Sequence, residues 1–598
     1  MFPNFSFDRY LNIRSAYSPA WLNGGQRVAF LTDITGTPQV WSLDAAGGWP
    51  DQLTFFKEKV WTLNPAPDGN RLVCTRDIGG NERYQMFLVS SDGAEVRRIS
   101  QDLGAIYHFG AWARDRLRIA FTSNERNGLH FDVYVQDVDN PVPEMVYQTD
   151  GNFRVLAWSP DGRKLVLVNE ISYTQTPLYL LDLENGEVRT LTPPDDPGLN
   201  LQVRWIKDDQ IYLLSNQGRE FLAVARMDID TGEITYPFDD QPWDVKNLAV
   251  APDANLLAFT ANVDGYAHLT VCNLENGRFR QVPDLPVGVI SEPVFSSDGT
   301  RLVVSAQGPQ DNLNIWMVPL DRESSSPRKL TQSSLAGIPK KSFIAPELIH
   351  YDTFDGRSIP GFFYRPQNVS SPLACILYVH GGPASQTIPD FDPRFQFFLR
   401  QGYAILAPNV RGSSGYGKTN MGLDDVELRM GSVADLKYAV DWLRNSGEVD
   451  PERIAIYGRS YGGFMVLSAI TTYPDLWAAA VDVVGIANWV TFLENTGPWR
   501  RAHREKEYGS LETDRAFLES ISPIHRVDQI QCPLLVVHGA NDPRVPVTEA
   551  DQIVSSLRER NHPVEFLRYE DEGHKIAKLQ NRIHSFTKMA DFLAKYLG

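Results

Sequence analysis

One feature constrains this sequence above all others: its first half repeats. Trp158-Ser159-Pro160-Asp161-Gly162 introduces an apolar run at 164–168, then a loop, a second run at 178–182 and the turn pair Asn185-Gly186. Two short strands joined by tight-turn chemistry are implied. The same order recurs behind Asp68-Gly69, Asp253 and Asp298-Gly299, with weaker copies near Gly24, Asp115 and Asp208. Successive anchors lie 44, 47, 46, 47, 45 and 45 residues apart. Six intervals this alike do not arise from unrelated hairpins, which disfavours a β-sandwich array with chance turn spacing. A period in the mid-forties, with room for about four short strands, is what a radial β-propeller needs, because each blade buries its faces on its neighbours. Seven copies predict a seven-bladed β-propeller over residues 1–335. Trp41, Phe87, Tyr134, Tyr179 and Trp316 recur in the apolar strand after each loop and are expected to fill the space between blades. Residues 1–15 precede the first full copy and are assigned to packing on whatever follows the propeller. Lone histidines in this half, such as His108, His130 and His268, read as structural or exposed.

Beyond the polar stretch Arg322-Glu323-Ser324-Ser325-Ser326-Pro327 the period changes. Apolar runs at 374–379, 404–407, 454–457 and 534–537 alternate with helix-spaced segments such as 432–445 and 548–560. Alternation of this kind predicts an α/β domain over 336–598, a mostly parallel sheet with flanking helices. Chemistry is expected where its strands end. The run at 454–457 leads directly into Gly458-Arg459-Ser460-Tyr461-Gly462-Gly463, and a helix-compatible run follows at 464–469. Small residues two before and two after a serine permit the sharp strand-to-helix turn that lifts its Oγ toward substrate. Ser460 is therefore the candidate nucleophile. A serine hydroxyl needs a base, and the base an orienting acid, in the order Ser, Asp or Glu, His for this architecture. Asp542 follows the run at 534–537, and His574 follows the run at 564–569 within Glu572-Gly573-His574. Glycine beside the histidine is expected to let that loop turn toward the serine. His538, His562, His584, His503 and His525 have blander explanations, on strand ends, helix flanks or among charges. The tetrahedral intermediate of acyl transfer needs two N–H donors. Tyr461, next to the nucleophile, supplies one, and Gly382 of His380-Gly381-Gly382-Pro383 the other.

Several function classes are excluded. With 57 Lys and Arg against 74 Asp and Glu, the chain carries a net charge of −17 and shows no basic cluster, so nucleic acid is not an expected partner. Asn409-Val410-Arg411-Gly412-Ser413-Ser414-Gly415-Tyr416-Gly417 is glycine-rich but lacks the Gly-Lys-Ser/Thr ending of a phosphate loop. The four cysteines, Cys74, Cys272, Cys375 and Cys532, are widely spaced, without metal-site or disulfide-scaffold spacing. They read as reduced thiols of a cytoplasmic protein. No apolar run approaches a membrane span, and the first residues do not read as an export signal.

Taken in order, the seven copies followed by HGGP, NVRGSSGYG, GRSYGGF, NDPRVP and DEGH resemble the prolyl oligopeptidase family of serine peptidases, above all its acylaminoacyl-peptidase branch. The resemblance covers nearly the whole chain. It implies a triad of Ser460, Asp542 and His574 in a cavity between the domains, and a propeller that admits only short peptides. It also implies that Arg544, two residues after the acid, contacts the substrate main chain, and that the protein assembles as a homo-oligomer. The sequence departs from two branches: it has no Glu-Glu pair of the kind that holds a free N-terminus in dipeptidyl peptidases, and Tyr461 stands where the proline-specific branch has Asn. Trp489, Phe492 and Trp499 follow the elbow helix and either line an apolar pocket for the residue before the cut or pack the core. The expected function is cleavage of short peptides through an acyl-enzyme, releasing an N-acylated amino acid or cutting internally after an apolar residue, with no metal or cofactor. A carboxylesterase acting on small esters is the first alternative. A propeller-based binding protein with a vestigial hydrolase is the second.

Overall fold

Short apolar runs punctuated by aspartate–glycine turns fold here as antiparallel four-stranded sheets. The computed structural model describes residues 4–207, 209–238, 242–321 and 326–598, so the Asp208 anchor, residues 1–3 and part of the polar stretch, Arg322 to Ser325, lie outside the described residues. One blade shows the local logic. Its strands Phe153–Trp158, Lys164–Asn169, Leu178–Asp182 and Val188–Thr190 pair in sequence order. Between the first two, Asp161 Oδ1 accepts hydrogen bonds from Ser159 Oγ (2.6 Å) and the Arg163 amide (3.1 Å), and Gly162 takes φ 71°. The aspartate side chain thus closes the turn and the glycine supplies the left-handed residue. Seven such sheets are present, each built from four consecutive strands.

A single blade cannot bury both of its faces, so stability comes from stacking. Trp41 of the first blade joins Val303, Ile315 and Met317 of the seventh in one buried cluster. Phe87 packs with Leu31 and Val40 of the blade before it, and Tyr134 with Val73 and Leu88. Tyr179 and Trp316 hold the equivalent places in two further interblade clusters. Each such side chain contributes about 1.5–3 kcal/mol through burial. Among the described residues no strand is shared between the first and last blades; hydrogen bonds that mostly involve side chains close the ring, with the Arg14 amide donating to the Ser334 carbonyl at 2.9 Å. Trp21 Nε1 donates to the Val294 carbonyl (3.0 Å), Arg301 Nη2 to the Gly25 carbonyl (3.0 Å) and Ser18 Oγ to Glu292 (2.7 Å).

The last propeller strand is Arg328–Lys329 and the first strand of the second domain is Glu347–Asp352. That domain holds one eight-stranded sheet. In spatial order its strands are Glu347–Asp352, Ser358–Tyr364, Ala404–Pro408, Leu373–Val379, Val449–Arg459, Ala479–Val483, Leu534–Gly539 and Val564–Tyr569. The first two run antiparallel and the remaining six parallel. Parallel strands are covered on both faces, which is why these read as continuous apolar runs. One face packs against the helices Arg429–Ser446, Tyr461–Thr472 and Thr548–Glu559. The other packs against Pro393–Arg400 and Leu579–Leu597. The short helix Phe7–Leu11 belongs to this second core: the Phe7 ring stacks on Phe397 with centroids 3.9 Å apart and lies 5.9 Å from Phe586. None of the described helices is long and apolar enough to cross a membrane.

Candidate active site

The strand Val449–Arg459 ends at Ser460, which takes φ 61° and ψ −123° before the helix Tyr461–Thr472 begins. A left-handed serine is strained, and the turn persists because its neighbours fix it. A Cβ on Gly458 would lie 2.2 Å from the Gly462 carbonyl oxygen, and one on Gly462 would lie 2.3 Å from that of Val379. Both glycines are therefore required by close approach of backbone to backbone.

Two loops bring the partners to this serine. Ser460 Oγ lies 3.0 Å from His574 Nε2, and His574 Nδ1 donates to Asp542 Oδ2 at 2.6 Å. Asp542 Oδ1 accepts from the amides of Arg544 (2.8 Å) and Val545 (3.1 Å), which fixes the carboxylate. Burial, aided by the nearby guanidinium groups of Arg459 and Arg544, holds the His574 imidazole well below its ordinary range. At neutral pH the ring is uncharged, with Nε2 free to accept the serine proton. Arg459 also donates to the His574 carbonyl. Gly573 plays a different part from the one its sequence suggests. It does not take a positive φ; instead a Cβ there would lie 2.0 Å from the carbonyl oxygen of Gly80 in the propeller. The histidine loop is thus pressed against the other domain.

The His380–Pro383 segment passes directly beside the elbow, since a Cβ on Gly381 would meet the Arg459 carbonyl oxygen at 2.8 Å and Ser460 Cβ at 3.4 Å. The Tyr508 hydroxyl donates to the Gly382 carbonyl (3.2 Å), orienting that peptide. Beneath, the Tyr461 hydroxyl donates to Asp424 Oδ2 (2.9 Å) and accepts from Arg429 Nη1 (3.0 Å). Asp424, Asp425 and Glu507 bring carboxylate oxygens within 4.8 Å of one another, but Arg429 sits among them, 2.6 Å from Asp424 and 3.9 Å from Glu507. The cluster is built around a guanidinium rather than a metal ion.

Next to the His380–Pro383 segment, at Ala384, lies a cavity of about 470 Å³ walled by both domains. Glu82 on its propeller wall pairs with Arg500 of the same lining and with Arg544 of the acid loop: Glu82 Oε1 accepts from Arg544 Nε (2.6 Å) and Oε2 from Arg500 Nη2 (2.5 Å). Glu82 itself is held at φ 57°, its amide donating to Asp77 (2.9 Å). Trp499 lines the cavity. Trp489 and Phe492 do not: both are fully buried, with Trp489 packed edge-on to Phe464 at 4.7 Å and Phe492 against Tyr508 at 6.1 Å. Neither offers surface to a substrate. Conversely, His108 and His503, which the sequence relegated to structural roles, line the cavity, as do Glu82, Tyr173, Arg500 and Arg504. Only Arg500 and Arg504 leave a local signal, two arginines one turn apart on the helix Pro498–Tyr508. The propeller contributors sit in separate blades, Glu82 and Tyr173 between strands and His108 on the strand Tyr107–Trp112, and share no motif.

Residues 389–598 match the model of the prolyl oligopeptidase family. Dipeptidyl aminopeptidase BIII of Pseudoxanthomonas mexicana is 25% identical over 96% of this chain and 86% of its own length. The acylamino-acid-releasing enzyme of Arabidopsis thaliana is 30% identical over 38% of this chain and 30% of its own. In structure, a puromycin-hydrolyzing peptidase of Mycobacterium tuberculosis superposes with a TM-score of 0.86 over 100% of this chain and 97% of its own, at 19% identity. The match places residues 389–598, where a serine, a histidine and an aspartate are hydrogen-bonded at the carboxyl ends of parallel strands, in a domain of the prolyl oligopeptidase family, carried here by a chain whose first half is a seven-bladed propeller.

Proposed function

We propose that the protein hydrolyses short peptides through a Ser460 acyl-enzyme, releasing an N-acylated residue or cutting internally. The observation that carries this reading is the continuous hydrogen-bonded relay from Asp542 through His574 to Ser460, whose histidine loop lies against the propeller. In the first step Ser460 Oγ attacks the scissile carbonyl as His574 Nε2 takes its proton. Asp542 holds the Nδ1–H tautomer and stabilises the imidazolium that forms. The amides of Gly382 and Tyr461 receive the oxyanion, and their placement is maintained from behind by Tyr508 and by the Asp424–Arg429 pair. His574 then returns the proton to the leaving amine, and water repeats the sequence on the ester.

A blocked rather than a free N-terminus fits the charges. Of the propeller carboxylates on the cavity wall, Glu170 pairs with Arg154 and Asp244 with Lys246, and Glu82, the one beside the acid loop, has both its oxygens engaged by Arg500 and Arg544. It is not free to hold a substrate ammonium, and no Glu-Glu pair exists to replace it. Arg544 lies beside the acid loop with part of its guanidinium exposed, where it is placed to bind a substrate carbonyl. All four cysteines are buried and unpaired, in keeping with a cytoplasmic location. Homo-oligomeric assembly is the corresponding expectation for its quaternary state.

The test is kcat/KM on an N-acetylated amino-acid anilide, its free-amine counterpart and a short-chain p-nitrophenyl ester, for the wild type and Ser460→Ala. Preference for the acetylated anilide, abolished with Ser460, supports the reading. Ester turnover with no cleavage of any anilide or short peptide would leave a carboxylesterase. Absence of reaction with a fluorophosphonate would leave a binding protein.

A further inference from the structure

The charges lining the cavity do not balance. Three of its four permanent cations have carboxylate partners: Arg500 pairs with Glu82 at 2.5 Å, Arg154 with Glu170 at 3.3 Å and Lys246 with Asp244 at 4.0 Å. The fourth, Arg504, has no hydrogen-bond or ion-pair partner among the described residues. It is nevertheless 8% exposed, and its Nε is sealed from solvent without an acceptor. Its guanidinium carbon lies 5.0 Å from the Phe492 ring centre and 5.9 Å from that of Tyr508, so two aromatic faces support its plane. Glu507, three residues on, is turned toward Arg429 at 3.9 Å and makes no ion pair with Arg504, and burial pushes its carboxyl up to about 8. Arg544 increases the imbalance, because it shares Glu82 with Arg500.

A buried cation without a counter-ion is costly unless a ligand supplies one. A planar guanidinium held on aromatic rings is also suited to bidentate recognition of a carboxylate. Its location ties it to the chemistry. The Tyr508 ring that supports Arg504 donates its hydroxyl to the Gly382 carbonyl, one residue of the candidate oxyanion hole. The histidines of the cavity report the same excess. Burial and surrounding arginines depress both His108 and His503, the latter to about 4, and Arg504 is among the charges lowering His574.

We infer that Arg504 is a specificity-determining residue that receives a substrate carboxylate, so that this peptidase prefers peptides with an acidic residue on the acyl side of the cut. The inference rests on the peptidase reading of the same site. A carboxylate reaches the cavity from two sources, a Glu or Asp side chain before the scissile bond or the C-terminus of a short leaving peptide, and the side chain is favoured by the proximity of Arg504 to the oxyanion loop.

The experiment compares kcat/KM for acetyl-Glu and acetyl-Gln anilides, and for one short peptide as free acid and as amide, in the wild type, Arg504→Met and Arg504→Lys. A Glu-over-Gln ratio of at least tenfold in the wild type is expected, falling to near one in Arg504→Met and staying above one in Arg504→Lys. Equal wild-type rates for Glu and Gln overturn the inference without any variant, as does a ratio unchanged in Arg504→Met. Discrimination of acid from amide peptide with none of Glu from Gln overturns the side-chain assignment and moves the carboxylate to the leaving group. If no peptide is cleaved at all, the rate of Ser460 labelling by a fluorophosphonate separates the two claims. Protection by N-acetylglutamate but not N-acetylglutamine, lost in Arg504→Met, keeps the subsite while the peptidase reading fails; no protection sinks both.

Discussion

The two walls of the cavity are built on different plans. On the hydrolase side each reacting group stands at the end of a parallel strand, held by backbone contacts so close that Gly458 and Gly462 admit no side chain. On the propeller side Glu82 and Glu170 sit in loops and His108 on the strand Tyr107–Trp112, each in a separate blade and none set by a turn motif. The first wall is supported by a single buried sheet, whereas the second is assembled from pieces of several blades. The proposed function accordingly assigns bond breaking to one domain and selection among substrates to both.

Variants on either side should separate these tasks. The largest effect is expected on the hydrolase side: Ser460→Ala should lower kcat by roughly 10⁶-fold while the melting temperature and the binding of a peptide aldehyde's non-reactive analogue stay close to wild type. Activity retained in that variant would mean a different nucleophile. Across the divide, Glu82→Ala leaves Arg500 and Arg544 without their shared carboxylate, and kcat/KM on anilides should fall about 30-fold or more. A p-nitrophenyl ester, which depends less on main-chain contacts, should lose less. Equal losses on both substrates would show that Glu82 supports the triad rather than substrate contacts. At the seam itself, Gly573→Ala must displace Gly80, and overpacking of this kind costs about 1–3 kcal/mol. Activity should drop about tenfold, read as kcat at fixed temperature, because His574 moves with its neighbour. The smallest effect is in the pH profile. The depressed pKa of His574 places the acid limb of kcat/KM below pH 6.5, whereas an ordinary imidazole would titrate there. Stability should follow a matching sign. The unfolded chain protonates His503 near pH 6.5 and the folded chain only near about 4, so acidification across that window binds more protons to the unfolded state and lowers the melting temperature.

How far the sequence discloses each wall follows from the same contrast. The elbow was legible because a strand, a small-x-Ser-x-small turn and a helix are contiguous, and geometry of that kind is local. Asp542 and His574 were legible because strand order fixes where loops after successive strands must lie. The propeller was legible from its period, since Asp68, Asp115, Asp161, Asp253 and Asp298 close the same turn in their copies. Glu82 was not, because nothing local distinguishes it from any other charged residue between two strands. His108 and His503 were passed over for the same reason: their importance comes from what another blade or domain places opposite them. Trp489 and Phe492 illustrate a different limit. Apolar character predicts burial but not which side of a wall a ring occupies, and both are turned inward against Phe464 and Tyr508. Gly573 was noticed for the wrong property, conformational freedom, when what matters is the absent Cβ beneath Gly80.

The helix Phe7–Leu11 has a consequence for the order in which the molecule assembles. Five residues are too few to hold a helix unaided, and its partners Phe397 and Phe586 lie far down the chain. At ribosomal speeds of roughly 5–20 residues per second, the first of them emerges some 20 to 80 s after Phe7. The whole propeller is synthesised in that interval and can close on itself before either ring partner exists. Phe7, Tyr10 and Leu11 thus wait for partners made long after them, and the catalytic domain's second core is complete only when this short helix meets rings from the far side of the propeller in sequence.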